Sequence, residues 1–497
     1  MQRFRIALAI VLIVVLLTGC ASHDASPHTV VTAGRTTLSS ASVTAAATTE
    51  NTTVSSTVTT PASKEATTGS TTTTSSGTTT QTTRSTTIAT SGITTTTKTI
   101  ITATTTSAVT KTTTSAVATT TTPVPSKPTV PPSQPIESEL HGAWVSYIEL
   151  AELFGNCQTA EQAQDAVDAM LSVMRDNKIN TVFFHVRANS DAYYDSKVFK
   201  PAAVVEQLIA SGFDPLTYVV EASHKQGIKV HAWINPYRVG KQTAYLVEEI
   251  PTLSDANGIY YYVPTAVATQ KLVLDGVREI VDKYAVDGIH YDDYFYPRDT
   301  LDEDAVYSFE AEDYEVYQSG GGSLTAGNWR RAAVNSLVAA THTIAEAKGL
   351  VFGVSPAADI DDTYAELFAD CRKWLAEPGY VDYLCPQIYT GFENDITPFD
   401  STVDAWVAYP RDGSVSLYVG LGLYKIGLKK DNYAGKGKSE WVGNDDIMKR
   451  SVLYLREKKL EGFCFYSYSF FEPAKKLDVD ADISVAEREI ENLKDCL

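Results

Sequence analysis

The chain has 497 residues and a formal net charge of −19, from 41 Lys and Arg against 60 Asp and Glu. That balance excludes nucleic acid as a partner, because such binding needs clustered basic residues. The six cysteines, Cys20, Cys157, Cys371, Cys385, Cys464 and Cys496, show no CxxC spacing, so neither a disulfide framework nor a zinc site is implied.

At the start, Arg3 and Arg5 precede an apolar run over 6–17, too short to cross a bilayer comfortably, followed by Leu17-Thr18-Gly19-Cys20-Ala21. This looks like a bacterial lipoprotein signal. Residues 1–19 are then the signal peptide, and Cys20 becomes the lipidated N-terminus that ties the protein to the membrane. Residues 20–135 form a stalk dominated by Thr and Ser and closed by Pro123, Pro125, Pro128, Pro131 and Pro132. With few large apolar groups to offset its ordering entropy, this segment is expected to stay disordered. A flexible chain of roughly 100 residues spans on the order of 50–60 Å, enough to place a tethered domain within a cell wall.

Residues 136–497 are long enough for one elaborated α/β barrel. Strand-like runs fall at 142–148, 181–187, 229–235, 288–293, 350–355, 383–389, 417–423 and 462–468. Amphipathic stretches lie between them at 160–176, 215–226, 270–284, 329–347 and 445–458. Eight alternating units predict a (β/α)₈ barrel.

The tract Asp287-Gly288-Ile289-His290-Tyr291-Asp292-Asp293-Tyr294-Phe295-Tyr296-Pro297 runs from apolar residues into two adjacent acids. Strand alternation places His290 and Asp292 inward, with Asp292 at the carboxyl end, where barrel active sites lie. Other strand ends carry His185 and Arg187, then Trp233, Asn235, Tyr237 and Arg238, then Gln387 and Tyr389. Sugars require this mixture, with aromatic faces over C–H surfaces and polar groups for hydroxyl and acetamido contacts. Other chemistries lack their motifs: there is no HxH on the first strand, no GxSxG, HExxH or dinucleotide fingerprint, and hence no metal or cofactor is expected. Gly435-Lys436-Gly437-Lys438-Ser439 has Asn432 where a phosphate loop needs its first glycine, and reads as an exposed basic turn.

His141-Gly142-Ala143-Trp144-Val145, Asn180-Thr181-Val182-Phe183-Phe184-His185-Val186-Arg187, His231-Ala232-Trp233-Ile234-Asn235-Pro236-Tyr237-Arg238, the 287–297 tract, Asn328-Trp329-Arg330-Arg331, Pro386-Gln387-Ile388-Tyr389 and Phe465-Tyr466-Ser467-Tyr468 together resemble the bacterial glycosyl-hydrolase-like family ten. The resemblance implies a TIM barrel, often in a lipoprotein, and a family that includes enzymes cutting peptidoglycan strands stripped of their peptides. Two departures stand out: the fifth-strand region, Gly353 to Asp359, matches loosely, and Ala332-Ala333 replace polar residues after the double arginine.

Glycosidases usually use two carboxyl groups. Asp292 is expected as nucleophile or electrostatic stabiliser and Asp293 as acid/base, with Glu149, Asp191, Asp359 and Glu393 as reserve acids. On an N-acetylated sugar the acetamide oxygen attacks instead, oriented by Asp292, with Gln387 and Tyr389 as acetamide contacts. His185, Arg187, Trp233, Asn235, Tyr237, Arg238, His290, Gln387, Tyr389 and Tyr466 are the expected substrate contacts, and cell-wall glycan the expected partner. A glycan-binding barrel without catalysis, or a glycosidase for a neutral polysaccharide, remain the alternative readings.

Overall fold

The computed structural model describes residues 139–298 and 300–497; the expected signal peptide, Cys20 and the expected stalk lie outside the described residues. Eight parallel strands close into a barrel in chain order: β1 Leu140–Val145, β2 Thr181–Arg187, β3 Lys229–Ile234, β4 Gly288–Tyr291, β5 Val351–Val354, β6 Tyr383–Leu384, β7 Ser416–Leu421 and β8 Gly462–Phe465. Outside them run α1 Ala160–Asp176, α2 Pro215–Lys225, α3 Val267–Lys283, α4 Ala326–Glu346, α5 Cys371–Ala376, α6 Phe399–Ala408, α7 Ile447–Glu457 and α8 Ile483–Lys494. Local chemistry fixes several helix starts. The Thr159 hydroxyl caps α1 through the Gln162 N–H, Thr325 caps α4 in the same way, and α2 begins at Asp214-Pro215, a capping acid followed by a residue whose missing N–H is no loss there.

Alternation divides each strand between two cores. Outward residues such as Ile289 and Tyr291 pack under the helices, and the Tyr291 hydroxyl lies 2.8 Å from that of Thr341 on α4. The lumen is filled by Leu140, Trp144, Phe183, Trp233, Tyr383, Cys385, Tyr418 and Cys464. Gly353 is required on β5, because a Cβ there would stand 2.2 Å from the Tyr383 ring.

Polar groups inside this lumen form a closed set. The Trp144 indole N–H donates to His290 Nε2 at 3.1 Å, which leaves the His290 proton on Nδ1 for the Tyr383 hydroxyl at 3.0 Å; that hydroxyl can then donate to His231 Nδ1 at 2.9 Å. Burial holds His290 well below the ordinary histidine range and His231 at about 4, so both are neutral. His290 does point inward, but it belongs to the barrel floor and not to the substrate-facing surface expected for it.

Strands end earlier than their sequence pattern. β1 stops at Val145, before a helix at Tyr147–Phe154; β4 stops at Tyr291, before both acids; β6 keeps only Tyr383 and Leu384 in the ladder, with Gln387 making isolated bridges to Ala357 and Gly420. Pro386 has no N–H to donate, so the ladder thins there.

A buried acid joins the last two helices. Glu489 on α8 accepts the Met448 N–H of α7 at 2.5 Å, and burial pushes its pKa up to about 7 from 4.5. Because the folded value is the higher one, its stabilising contribution is complete below pH 4.5 and is lost as pH rises through about 7. The loss is on the order of 3 kcal/mol. Glu489→Gln is therefore expected to flatten the stability profile between pH 4.5 and 7 in urea unfolding; an unchanged slope would contradict this linkage.

Candidate active site

The carboxyl end of β4 delivers the two acids. Beyond Tyr291 the chain turns, with the Tyr294 N–H donating to Asp292 Oδ1 at 3.2 Å and the Phe295 N–H to the Asp293 carbonyl at 2.9 Å. Asp292 is 2% exposed and receives the Trp233 indole N–H on Oδ2 at 3.1 Å. Burial, and then the charge of Asp293, raise its carboxyl well above the usual carboxylate range, against the smaller opposing pull of those two donors.

Asp293 is set differently. Its side chain is 23% exposed, Arg298 approaches at 3.6 Å, and Gln387 Nε2 donates to Oδ1 at 3.3 Å while also donating to the Ser355 carbonyl at 2.9 Å. Arg298 in turn meets Glu366 at 3.4 Å. The pair therefore consists of an enclosed carboxyl that favours a proton and a neighbour at the opening beside a cation.

Aromatic rings line the space around these acids. His185 stacks on Trp233 with centroids 3.6 Å apart, and Tyr389 stacks on Tyr466 at 5.5 Å, with Trp144 below at 6.4 and 6.2 Å. Tyr424 stands edge-on to both tyrosines at 5.9 and 6.0 Å. The Tyr147 N–H donates to His185 Nδ1 at 3.3 Å, so the His185 proton sits on Nε2 and bonds Asn235 Oδ1 at 2.8 Å. Burial keeps His185 neutral. Arg238 lies between the Tyr147 and Tyr294 rings.

Two further expected contacts, besides His290, are placed elsewhere. A register shift between His185 and Arg187 turns Arg187 aside; it is 1% exposed, stacks over Phe199 at 4.5 Å and donates to the carbonyls of Asn235 and Pro236 at 2.7 and 3.0 Å. It braces the loop after β3 and does not line the mouth. Tyr237 is wholly buried behind that loop, against Phe295 and hydrogen-bonded to Gln270.

The reserve acids have structural occupations. Glu149 is saturated by Ser146, Ser467 and Ser469, joining the loops after β1 and β8. Asp359 caps the helix Ile360–Glu366, Glu393 is exposed, and Asp191 is buried with the Asn189 N–H on Oδ1. Sequence reasoning missed Arg298, Ser355, Tyr147, Tyr294 and Tyr424 at the mouth. It also missed Glu440, a buried acid that receives the Phe392 and Glu393 N–H groups at 2.8 and 2.9 Å. Only the aromatic density of 287–297 could have flagged Tyr294, since Arg298 lies just past that tract and Ser355, Tyr147 and Tyr424 arrive from separate loops.

A family described as Glycosyl hydrolase-like 10 matches residues 139–435. The chain belongs to this family. Glycosyl hydrolase DigH of Escherichia coli K12 is 31% identical over 329 residues, covering 58% of this chain and 71% of that protein. Glycosyl hydrolase YngK of Bacillus subtilis 168 is also 31% identical, over 62% of this chain and 63% of that protein. Among solved structures, the glycoside hydrolase domain of PgaB from Bordetella bronchiseptica aligns at 13% identity and a TM-score of 0.45, over 71% of this chain and 98% of that one, too distant to inform the site. This member of glycosyl hydrolase-like 10 is a glycoside hydrolase carried on a (β/α)₈ barrel.

Proposed function

We propose that this glycoside hydrolase is a lipid-anchored, extracytoplasmic enzyme that cuts cell-wall glycan, with peptide-stripped peptidoglycan strands as its substrate. The observation that carries the reading is the Asp292–Asp293 pair at the end of β4, one acid enclosed and one at the opening, between aromatic surfaces suited to sugar rings. The family resemblance, which includes enzymes acting on stripped wall glycan, supports the substrate. The 236–264 and 297–328 segments both follow barrel strands on the mouth side, where peptide stems would crowd them.

Burial, and then the neighbouring Asp293, push the Asp292 carboxyl towards its protonated form. Binding of a sugar brings an amide N–H against Asp292 and removes water from Asp293, which moves the proton to the acid that can reach the glycosidic oxygen. Asp293 protonates that oxygen as the C1–O bond breaks. The substrate's acetamide oxygen, oriented by Asp292, or Asp292 itself, attacks C1. Asp293, now a carboxylate, takes a proton from the water that opens the intermediate, so the starting state is restored. Gln387 holds Asp293 in place, and Tyr389 and Tyr466 supply the ring contacts.

Incubation with intact and amidase-stripped peptidoglycan, followed by mass spectrometry of soluble products, tests the substrate. Muramic-containing oligosaccharides are expected to appear faster from stripped glycan. Cleavage of a neutral glucan or xylan with no action on stripped glycan would overturn the proposal. The location rests on the apolar run ending at Gly19-Cys20. Cys20→Ser is expected to leave the membrane fraction or to accumulate as uncleaved precursor, and fractionation identical to wild type would refute the anchor.

A further inference from the structure

Beside the acid pair lie buried donors that the protein itself does not satisfy. Arg238, just after β3, is 7% exposed, with its guanidinium 5.3 Å from the Tyr147 ring centre and 4.8 Å from that of Tyr294. The Tyr147 hydroxyl is a hydrogen-bonding partner, but Nε and Nη1 have none. Among the described residues no carboxylate forms an ion pair with Arg238.

Asn235 contributes a further donor. The Tyr147 N–H occupies His185 Nδ1, so His185 Nε2–H fixes Asn235 Oδ1, and the amide has only one orientation that avoids placing two donors together. Its Nδ2 is thereby turned away from His185 and is buried without a partner. A buried cation and a fixed amide, both with unused N–H groups, stand where only an acceptor would complete them.

We propose that Arg238 and Asn235 form a subsite for the carboxylate of an acidic sugar. This rests on the wall-glycan reading for the chain being cut. A hydroxyl would leave the guanidinium without a counter-charge. A phosphate, carrying more charge than a carboxylate, would be repelled the more strongly by Asp191 and by the Asp292–Asp293 pair, since Asp191 and Asp292 both lie within electrostatic reach of Arg238. The two phenol rings flank the guanidinium itself, so the acceptor that completes its Nε and Nη1 edge is a flat, singly charged group. It can be the lactyl carboxylate of a muramic residue or the C6 carboxylate of a uronic acid. His185 acts as a positioning residue, holding the amide of Asn235.

The test compares initial rates of the full chain on peptide-stripped wall glycan and on the same glycan with its carboxyl groups reduced to alcohols. Wild type is expected to favour the native glycan in kcat/KM by about tenfold or more. Arg238→Gln, which also removes a charge beside Asp292, is expected to lower both rates but native glycan by a further tenfold or so, so that the wild-type preference for the native form disappears. Asn235→Asp, which places a negative charge in the subsite, is expected to lose native glycan selectively as well. Equal wild-type kcat/KM on both forms would overturn the subsite while leaving the wall-glycan reading standing. If neither wall glycan is cut, that reading fails, and a uronate-containing oligosaccharide with its carboxyl-reduced form carries the comparison. Preference for the acidic form then supports the subsite, and no preference, or no cleavage of either, overturns it.

Discussion

Asp292→Asn and Asp293→Asn are each expected to lower kcat on wall glycan by on the order of a hundredfold or more, with folding unchanged. The two losses have different origins. An amide at 292 keeps one acceptor for the Trp233 indole N–H on Oδ2 or the Tyr294 N–H on Oδ1 and loses the other, and it can neither hold the shared proton nor bear negative charge towards C1. An amide at 293 keeps the size of the side chain beside Gln387 and Arg298 and removes the proton donor. Aryl glycosides with good leaving groups separate the roles, since they need less protonation: Asp293→Asn should regain much of its rate on them and Asp292→Asn should not. Near-normal turnover in both variants, with unchanged circular dichroism, would remove this pair from the chemistry.

The largest stability effect is expected at Arg330. Its guanidinium and the Glu310 carboxylate are both wholly buried and paired, with further donation to the carbonyls of Asp302 and Ala305 at 2.9 and 2.6 Å. Arg330 thereby pins the 297–325 segment to α4, and Arg331 does the same through Glu303 while also tying α4 to the helix Ile360–Glu366 through the Tyr364 carbonyl. Arg330→Met leaves Glu310 buried without its cation, a loss of about 3–5 kcal/mol in denaturant unfolding. Arg330→Met combined with Glu310→Gln should recover a good part of that loss, because the stranded charge is gone. A loss below about 1 kcal/mol in the single variant would mean that water reaches the pair and the segment opens. The double arginine of the Asn328-Trp329-Arg330-Arg331 motif thus holds the loop that carries Arg298 towards Asp293.

Much of this architecture was legible where short-range chemistry decides it. β2 and α1 have the bounds their patterns predict, since one is a continuous apolar run closed by Arg187 and the other begins at a capping threonine. Strand ends at the mouth were overrun for a physical reason. The alternating polar and aromatic residues that continue the pattern past Val145, Tyr291 and Leu384 are the ones that leave the ladder to form the opening. Parity placed His290 inward correctly and said nothing of depth. One layer of side chains below Asp292 is enough to seal it under Trp144 and Tyr383.

Arg187 shows the limit of parity itself. A single register shift after His185 separates two residues that share a face on a regular strand. Glu149 sits near a strand end as an active-site acid would, but its partners Ser467 and Ser469 come from more than 300 residues away in sequence. Arg298 likewise acquires its meaning only when the loop after β4 returns to Asp293. The adjacent acids just after β4 were visible from the sequence; their unequal environments depend on Trp233, Gln387 and Arg298, which come from different elements.

The central claim is that Asp293 acts on a glycosidic oxygen at the mouth above Asp292. A crystal structure of the Asp293→Asn variant with a peptide-stripped wall-glycan oligosaccharide tests it most directly. The account predicts a sugar ring against the Tyr389 and Tyr466 faces, with the scissile oxygen within about 3.2 Å of the residue 293 side chain. Glycan bound elsewhere, with no glycosidic oxygen in reach of either residue 292 or residue 293, would contradict it.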